Sequence, residues 1–413
     1  MYVWSPLRLF LAASFGLAQA SPEYNPSQFH QMLSQNRNCR CFPGDACWPP
    51  EAEWSRFNKT LDGKLIATVP IASACHESSF GPYDPARCEQ LRSIWGFPET
   101  HYTTSSSPMA PFFANESCDP FTAPGEQCYI GTYVQYAVNA TSVEDYQKTL
   151  RFAEAKNIRL VIRNTGHDYL GKSTGAGAIA LWTHNIKDIK FLNYKSDDYE
   201  GPAMKVGAGV QGFEAQNAAH AQGLVVVTGN CPTVGIAGGY TQGGGHSPLS
   251  SKLGLAADQV LEWEVVSGEG KYMVATPIEN PDLYWALSGG GGGTYAAVLS
   301  MTIRAYPDLP TAGGNLTFTA EGVPQEAFYD AVQVFLTTLP SFVDAGVVPI
   351  WLLVPGAFLV QPIIAPGLTK EDLQSLMEPT LARAKENGIL YCKTPLVEIS
   401  QNGKRDLELL TNW

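Results

Sequence analysis

The stretch from Gly229 to His246 constrains the fold more than any other part of this chain. Its sequence is GNCPTVGIAGGYTQGGGH, which is too rich in glycine to form a stable helix or strand by propensity. A flexible linker is the simplest interpretation, but a linker has no reason to hold Pro232, Val234, Ile236 and Tyr240. Something outside the stretch must fix its shape, and a large, flat, phosphate-bearing ligand would do so.

A second loop, Arg163 to Gly171, has the sequence RNTGHDYLG. It follows the apolar run from Ile158 to Ile162, which predicts a buried strand. A loop that leaves a buried strand and carries Gly, Asn, Thr and His is suited to bringing backbone N–H groups close to a ligand. These glycines lead into another strand and not into a helix, so the dinucleotide-binding motif of a Rossmann fold does not apply.

Together the two stretches resemble the flavin-contacting loops of the vanillyl-alcohol-oxidase, or PCMH-type, FAD oxidoreductases, in the berberine-bridge-enzyme-like branch. The resemblance runs from about Tyr129 to about Tyr306 and includes the segment PDLYWALSGG at 281–290. Several motifs in the same order are far more specific than a lone glycine motif. The cysteine-rich N-terminal part is most similar to fungal secreted isoamyl-alcohol-oxidase-like members.

The resemblance implies an α+β chain, with a PCMH-type two-subdomain FAD-binding domain followed by an α+β substrate domain with an antiparallel sheet. It also implies a covalent, bicovalent FAD, in which His167 is bonded to the flavin 8α-methyl group and Cys231 to flavin C6. A neutral imidazole and a thiolate are the side chains suited to such bonds. Two alternatives stay open: His167 as a loop histidine bonded to backbone, and Cys231 as a disulfide partner.

The resemblance places further residues against the FAD, and these are Arg163, Asn164, Thr165, Gly166, Asp168, Gly235, Gly238, Gly239, Gly243, Gly244, Asp258 and Val265. Arg163 and Lys172 are the candidate cations for the pyrophosphate. Backbone N–H groups of residues 164–168 and 235–239 are expected to do most of the cradling. The alternatives are a strand-end salt bridge for Arg163, a cap for Asp258 and core packing for Val265.

The overall charge limits the classes of partner. The formal net charge is −12 and the pI is about 5.1, which argues against a nucleic-acid or anionic-membrane surface. The expected partners are a small-molecule substrate and O2. A chain of 413 residues is long enough for two domains with substantial cores.

The N-terminus predicts secretion. Arg8 precedes an apolar core and the small-x-small sequence Ala18-Gln19-Ala20, which is typical of a signal peptide over residues 1–20; a buried first helix is the alternative. Acceptor motifs for N-glycans occur at Asn58, Asn115, Asn139 and Asn315. We therefore expect a secreted glycoprotein that does not stay in a membrane after signal removal.

The nine cysteines also indicate an oxidising compartment. Eight of them could form four bridges, with Cys231 left over; the eight are Cys39, Cys41, Cys47, Cys75, Cys88, Cys118, Cys128 and Cys392. A zinc site at Cys39, Cys41 and Cys47 is the rival interpretation, but it lacks a second pair at ligand spacing, so no metal is predicted. His76 and His101 are predicted to be surface or loop residues.

The pattern of elements predicts four segments: the signal peptide (1–20), a cysteine-rich extension lying on the body (21–128), the FAD-binding domain (129–308) and a partial substrate domain (309–413). Predicted elements are a helix begun by a capping box at 142–145, strands 158–162, 178–182, 203–206, 224–227 and 296–306, a helix 211–222, a hairpin 259–275, a helix from 281 capped by Asn280, helices 325–339 and 369–387, and strands 347–354 and 357–364.

The reaction that the resemblance implies is a two-electron oxidation of an alcohol, sugar or secondary metabolite, with hydride transfer to flavin N5 and O2 as acceptor. The sequence identifies no catalytic base. The Y-x-N-Y-x-D-like segment that assists catalysis in the family does not occur here, and the chain stops partway through the expected second domain. Two alternatives stay open: a truncated, catalytically impaired flavin-binding protein, and a secreted disulfide-stapled binding module without cofactor.

Overall fold

The structure, a computed structural model, describes residues 39–109, 117–394 and 397–399. The predicted signal peptide and the glycan acceptor Asn115 lie outside these residues. Within them the helices are α1 (Glu51–Thr60), α2 (Pro85–Ile94), α3 (Pro98–Tyr102), α4 (Val143–Ala155), α5 (Gly212–His220), α6 (Ser250–Leu253), α7 (Pro281–Leu287), α8 (Gln325–Asp344) and α9 (Lys370–Glu386). The strands are β1 (Leu65–Ala67), β2 (Tyr136–Asn139), β3 (Arg159–Arg163), β4 (Ala178–Trp182), β5 (Ile189–Lys195), β6 (Glu200–Gly207), β7 (Leu224–Val225), β8 (Val260–Ser267), β9 (Tyr272–Ala275), β10 (Ala296–Arg304), β11 (Tyr306–Pro307), β12 (Thr311–Thr319), β13 (Val348–Val354), β14 (Ala357–Pro366), β15 (Tyr391–Lys393) and β16 (Val397–Ile399).

The first sheet has the strand order β1-β2-β4-β3. Strands β2 and β3 both run parallel to β4, and α4 connects β2 to β3. The predicted strands 158–162 and 178–182 are confirmed as β3 and β4. Helix α4 begins with the predicted capping box. The Ser142 hydroxyl accepts from the Asp145 N–H at 3.3 Å, and the Asp145 carboxylate accepts from the Ser142 N–H at 3.1 Å.

Part of the predicted N-terminal extension is built into this sheet. Strand β1 pairs antiparallel with β2, and α1 packs Trp54 and Phe57 against Ile158 and Ile179 in one buried cluster. The prediction that the extension lies on the body is therefore wrong for α1 and β1. Two aromatic side chains of the otherwise polar α1, and the three residues of β1, complete a core layer that their local sequence pattern did not reveal.

Three disulfides staple the segment before β2, joining Cys41 to Cys47, Cys75 to Cys88 and Cys118 to Cys128. The bridge between Cys41 and Cys47 agrees with the choice of disulfides over zinc. Cys392 is exposed on β15 and lies outside any disulfide, so the predicted four-bridge arrangement is not formed. Counting cysteines therefore does not by itself identify Cys231 as the one without a disulfide partner.

Two histidines of this segment are more buried than predicted. His76 is fully buried, with Nε2 lying 2.9 Å from the Asp119 carbonyl. His101 is buried between the Ser107 hydroxyl, 2.9 Å from Nδ1, and the Trp95 carbonyl, 2.7 Å from Nε2. Both are interior groups that organise loops.

The second sheet has the order β5-β6-β10-β8-β9 and is antiparallel throughout. The predicted hairpin over 259–275 is confirmed as β8 and β9. Pro281 begins α7 as predicted, but the Asn280 side chain does not cap it. The backbone of Asn280 is left-handed, with φ at 50°, and its amide donates instead to the Val274 carbonyl at 2.6 Å.

A shared core joins the first two sheets. Tyr146 of α4 is fully buried and donates from its hydroxyl to the Val298 carbonyl of β10 at 2.9 Å. Leu181, Val266 and Leu299 pack in the same cluster. This contact holds the end of β3 beside the start of β10, which is where the candidate site lies.

Another antiparallel sheet has the order β13-β14-β12-β15, with β16 also paired to β12. Helices α8 and α9 cover one face of it through a core that includes Phe318, Phe335, Phe358 and Leu373. This is the predicted α+β arrangement with an antiparallel sheet. Strand β7 is shorter than predicted and pairs only with β11 in the described part of the chain. The predicted domain boundaries stay predictions.

None of the helices in the described ranges has the length and apolar character needed to cross a bilayer.

Candidate functional site

The candidate site is a cavity of about 430 Å³ enclosed by three glycine-containing loops. The first loop leaves β3, the second carries the stretch from 234 to 243, and the third precedes β10. The residues of the cavity wall that were predicted from the sequence are Asn164, Thr165, Gly166, His167, Asp168, Lys172, Gly235, Gly238, Gly239 and Gly243. Ile162, Ala296 and Val298 form the apolar floor between the first two sheets.

Asn164 locks the first loop to the second. Its amide nitrogen donates to the Ala208 carbonyl, and its side chain fills the space beside Gly235 and Gly238. A Cβ on Gly235 would lie 2.5 Å from Asn164 Oδ1, so only glycine fits there without displacing the amide. Oδ1 of Asn164 is buried and has no hydrogen-bond partner among the described residues, which indicates an acceptor that awaits a donor from a ligand.

The first loop also offers donors to an anion. Within the described part of the chain, nothing accepts from the backbone N–H groups of Gly166, His167 and Asp168. The Asp168 carboxylate is turned to its own loop, where Oδ1 accepts from the Leu170 N–H at 2.9 Å and Oδ2 accepts from the N–H groups of residues 172 and 173. The acidic charge is thus held away from the open donors. Open N–H groups on a glycine loop suit a phosphate.

The third loop was not predicted as part of the site. Gly291, Gly292 and Gly293 line the cavity, and a Cβ on Gly292 would lie 2.7 Å from the Gly239 Cα. Gln242 ties the two loops together, because its backbone carbonyl accepts from the Gly291 N–H at 2.8 Å and its side-chain oxygen accepts from the Gly293 N–H at 3.4 Å. The run of five glycines from 289 to 293 was the sequence signal for this contact.

His167 and Cys231 meet at one hydroxyl group. Nε2 of His167 lies 2.8 Å from the Thr233 hydroxyl oxygen, and the Cys231 sulfur lies 3.5 Å from the same oxygen. Thr233 is itself held by Gln211, whose side-chain amide donates to the Thr233 carbonyl at 2.7 Å. His167 lines the cavity, whereas Cys231 is exposed beside it. The two predicted attachment residues therefore share one end of the site, and Thr233 was missed.

The surroundings of His167 keep its ring neutral. Burial lowers the pKa of His167 to about 4, and the nearby positive charge of Arg163 and His101 adds to the effect. At neutral pH the imidazole carries one proton and one free lone pair. Among the described residues no group bonds Nδ1, so this ring nitrogen remains available.

Arg163 does not line the cavity, and its contact with a phosphate stays a prediction. The side chain is fully buried, and one guanidinium nitrogen donates to the carbonyls of His101, Thr104 and Ser107 at 3.1, 3.1 and 2.6 Å. Burial lowers the pKa of Arg163 to about 9, which leaves it charged at neutral pH. It anchors the segment after α3 beneath the first loop. Lys172, which is exposed at the cavity wall, is the remaining predicted cation.

Three other predicted contacts lie outside this cavity wall. Asp258 accepts from the Leu255 N–H at 2.8 Å, as expected of a turn cap. Val265 is fully buried in the core of the second sheet. Gly244 faces Leu255. Their contacts with a cofactor stay predictions, and the capping and packing alternatives account for the first two side chains.

Taken together, the cavity wall fits a phosphate-bearing flat ligand, because it has open backbone donors, an unpaired buried acceptor and glycines at each close approach.

Comparisons with known proteins agree with a ligand of this kind. A family model described as an FAD binding domain matches residues 134–276. The chain is 52% identical to the FAD-linked oxidoreductase sor8 of Hypocrea jecorina over 86% of this chain and 61% of that one. It is 50% identical to the FAD-linked oxidoreductase sthB of Phaeosphaeria nodorum over 68% of this chain and 90% of that one.

Among solved structures, the chain is similar to the VAO-type flavoprotein MtVAO615 from Myceliophthora thermophila C1. The TM-score is 0.84 at 49% identity, covering 88% of this chain and 66% of that one. The chain spans about three fifths of the length of the first curated relatives that it matches, from 61% to 64%. The match to sthB, at 50% identity over 90% of its length, shows that the two proteins are members of one family. The chain belongs to the VAO-type FAD-linked oxidoreductases, with a PCMH-type FAD-binding fold.

Proposed function

We propose that this protein binds FAD between its three glycine-containing loops and oxidises a small alcohol, a sugar or a secondary metabolite. The observation that carries the proposal is the cavity wall itself, in which the open N–H groups of Gly166, His167 and Asp168 lie beside the unpaired Oδ1 of Asn164. A bound FAD supplies a two-electron acceptor that takes hydride at N5 and is reoxidised by O2 to give H2O2.

The residues of the chain bind and orient this cofactor. The open N–H groups and Lys172 hold its phosphates, and the glycines let backbone approach its ring system. Gln242 keeps the second and third loops at a fixed spacing. The apolar floor at Ile162 and Val298 excludes water from one side of the site.

The attachment of the cofactor is a finer part of the proposal. We infer that His167 and Cys231 each bond the flavin, as the family resemblance implies. Their common contact with the Thr233 hydroxyl supports this, because it brings the two groups together at one end of the site. The neutral imidazole of His167 is also the nucleophilic form.

We also propose that the protein acts outside the cell or in the secretory pathway. The three disulfides support this, because such bridges persist in oxidising compartments. N-glycans at Asn58, Asn139 and Asn315 would follow. Peptide mass spectrometry of the protein from the medium and the cell extract of its native culture, before and after glycosidase treatment, tests this: glycosylated peptides are expected, and protein found only in the cell extract with all three asparagines unmodified would contradict it.

Turnover is tested with purified protein and a panel of primary alcohols, sugars and phenolic metabolites, in which H2O2 release and anaerobic bleaching of the flavin are recorded. At least one donor is expected to bleach the flavin and to release H2O2 in air. A yellow protein that no donor bleaches would instead support the flavin-binding protein without activity. A folded, colourless protein would support the disulfide-stapled binding module.

A further inference from the structure

His167 and Cys231 are linked through one shared group, the hydroxyl of Thr233. The Thr233 side chain is 6% exposed, and its hydroxyl oxygen lies within reach of His167 Nε2 at 2.8 Å and of the Cys231 sulfur at 3.5 Å. No other described residue forms a hydrogen bond with His167 Nε2 or with the Cys231 sulfur. A threonine hydroxyl has one hydrogen to donate and accepts through its lone pairs.

The number of hydrogens fixes how these groups can pair. When Cys231 loses its proton, its sulfur can only accept, so the single hydroxyl hydrogen of Thr233 must go to the sulfur. The oxygen of Thr233 is then the acceptor for His167, which must donate from Nε2. A neutral imidazole has one N–H, so Nδ1 is left with the lone pair. Protonated Cys231 instead allows the opposite order, with Thr233 donating to Nε2 and the proton on Nδ1.

We propose that Thr233 is a positioning residue that couples the two attachment groups, so that a thiolate at Cys231 and a free lone pair on Nδ1 of His167 occur together. This inference deepens the proposed attachment of the flavin and rests on it. The hydroxyl stabilises the thiolate by donating to it, and it selects the nucleophilic tautomer by accepting from the ring. Cofactor attachment at each residue therefore depends on a side chain that forms neither bond.

The thiolate part is tested without flavin. The full-length chain is prepared from a riboflavin-limited host and treated with iodoacetamide over a range of pH, and modification of Cys231 is followed by peptide mass spectrometry. In Thr233→Val the midpoint of modification is expected to rise by about one pH unit, because one hydrogen bond to the charged form is lost. Thr233→Ser keeps the hydroxyl and is expected to match the parent.

Two controls separate this effect from a change in folding. Thr228→Val removes a nearby buried hydroxyl that accepts from Gln216 and forms no hydrogen bond with the sulfur; it should leave the Cys231 profile unchanged. The exposed thiol of Cys392 is the internal reference in every sample. If Thr233→Val does not fold, Thr233→Ala, which removes the hydroxyl and adds no bulk, is judged by the same criterion.

The attachment part uses riboflavin-replete protein. The fraction of His167 peptide that carries flavin is expected to fall several-fold in Thr233→Val and to recover in Thr233→Ser. A pH profile of Cys231 in Thr233→Val or Thr233→Ala that superimposes on the parent's overturns the coupling. A parent chain with no flavin on either peptide would contradict the proposed attachment alone, since the iodoacetamide profiles still decide the role of Thr233.

Discussion

The side chain of Asn164 occupies the space where a side chain on residue 235 would lie, with Oδ1 only 2.5 Å from an ideal Cβ on Gly235. The amide cannot simply turn away, because its nitrogen is bonded to the Ala208 carbonyl. The first loop thus packs closely against the second at a position where the second loop has no side chain. This fit leaves Oδ1 of Asn164 buried without a hydrogen-bond partner among the described residues, in the same loop as the open N–H groups of residues 166–168.

Gly235→Ala is expected to displace Asn164 and to lower FAD occupancy at least several-fold. The overpacking should also destabilise the fold by about 1–3 kcal/mol. Flavin content per chain and the urea midpoint measure the two effects. Gly268→Ala is the matched control, because a Cβ there meets nothing within 4 Å. Full flavin content in Gly235→Ala would mean that the two loops adjust freely.

Arg163→Met separates the anchoring role of Arg163 from its predicted contact with a phosphate. The variant keeps the apolar stem but leaves the carbonyls of His101, Thr104 and Ser107 without their donor. A loss of about 2–4 kcal/mol in the free energy of unfolding is expected, with FAD affinity of the folded fraction nearly unchanged. A stable variant with a large loss of FAD affinity would favour the phosphate contact after all.

Asp145→Ala tests the capping box of α4. Burial by itself raises the pKa of Asp145, but hydrogen bonds from Lys64 and Thr141 outweigh it and the pKa lies below its usual range. The stabilisation is therefore present above the unfolded pKa and is lost as the pH falls through the lower folded pKa. The variant should lose about 1–3 kcal/mol at neutral pH, seen in urea titrations.

The exposed capping box of α9 provides the comparison for that change. Asp372 accepts from the Thr369 N–H and hydroxyl at the surface, so Asp372→Ala should cost less than Asp145→Ala. Equal losses would show that burial of Asp145 contributes nothing.

His184 is expected to make the fold sensitive to acid. Burial lowers the pKa of His184 to about 4, and Lys187 lowers it further. Between the ordinary histidine pKa of about 6.5 and this value, the unfolded chain takes up a proton that the folded chain does not, so stability falls as the pH falls. His184→Gln should make the melting temperature depend less steeply on pH over this interval. An unchanged slope would assign the acid sensitivity to other groups.

Removing the attachment residues one at a time tests the two-bond proposal. His167→Ala and Cys231→Ala should each retain flavin through the remaining bond, and only the double variant should release it into the supernatant of an acid precipitation. If either single variant releases all of its flavin, the parent protein holds the flavin through one bond only, at the substituted residue. Absorbance of precipitate and supernatant is the measurement.

Local patterns predicted the elements that depend on neighbouring residues. The capping box at Ser142, the hairpin of β8 and β9 and strand β4 follow from spacing and turn chemistry within a few positions. The two loops at 163–171 and 229–246 were likewise visible, because a glycine-rich stretch that keeps apolar anchors is unusual in a linker. The order of motifs then indicated the family.

Contacts between residues that are far apart in the sequence could not be predicted from local patterns. The side chain of Arg163 binds carbonyls, and a sequence does not say which carbonyls will turn inward. Strand β1 has three residues and no alternation to detect, yet it completes the first sheet. Gly292 belongs to the site because its backbone meets Gly239, a proximity created only by folding. Thr233 belongs to the glycine-rich stretch at 229–246, but its role depends on His167 in the other loop.

The central claim is that FAD lies between these loops and is bonded to the chain. The most direct measurement is the absorbance spectrum and intact mass of the purified parent protein, before and after denaturation in acid. We predict a flavin spectrum and a mass increased by one FAD in both states. A folded protein that is colourless, keeps the mass of the bare polypeptide and takes up no added FAD would contradict the account.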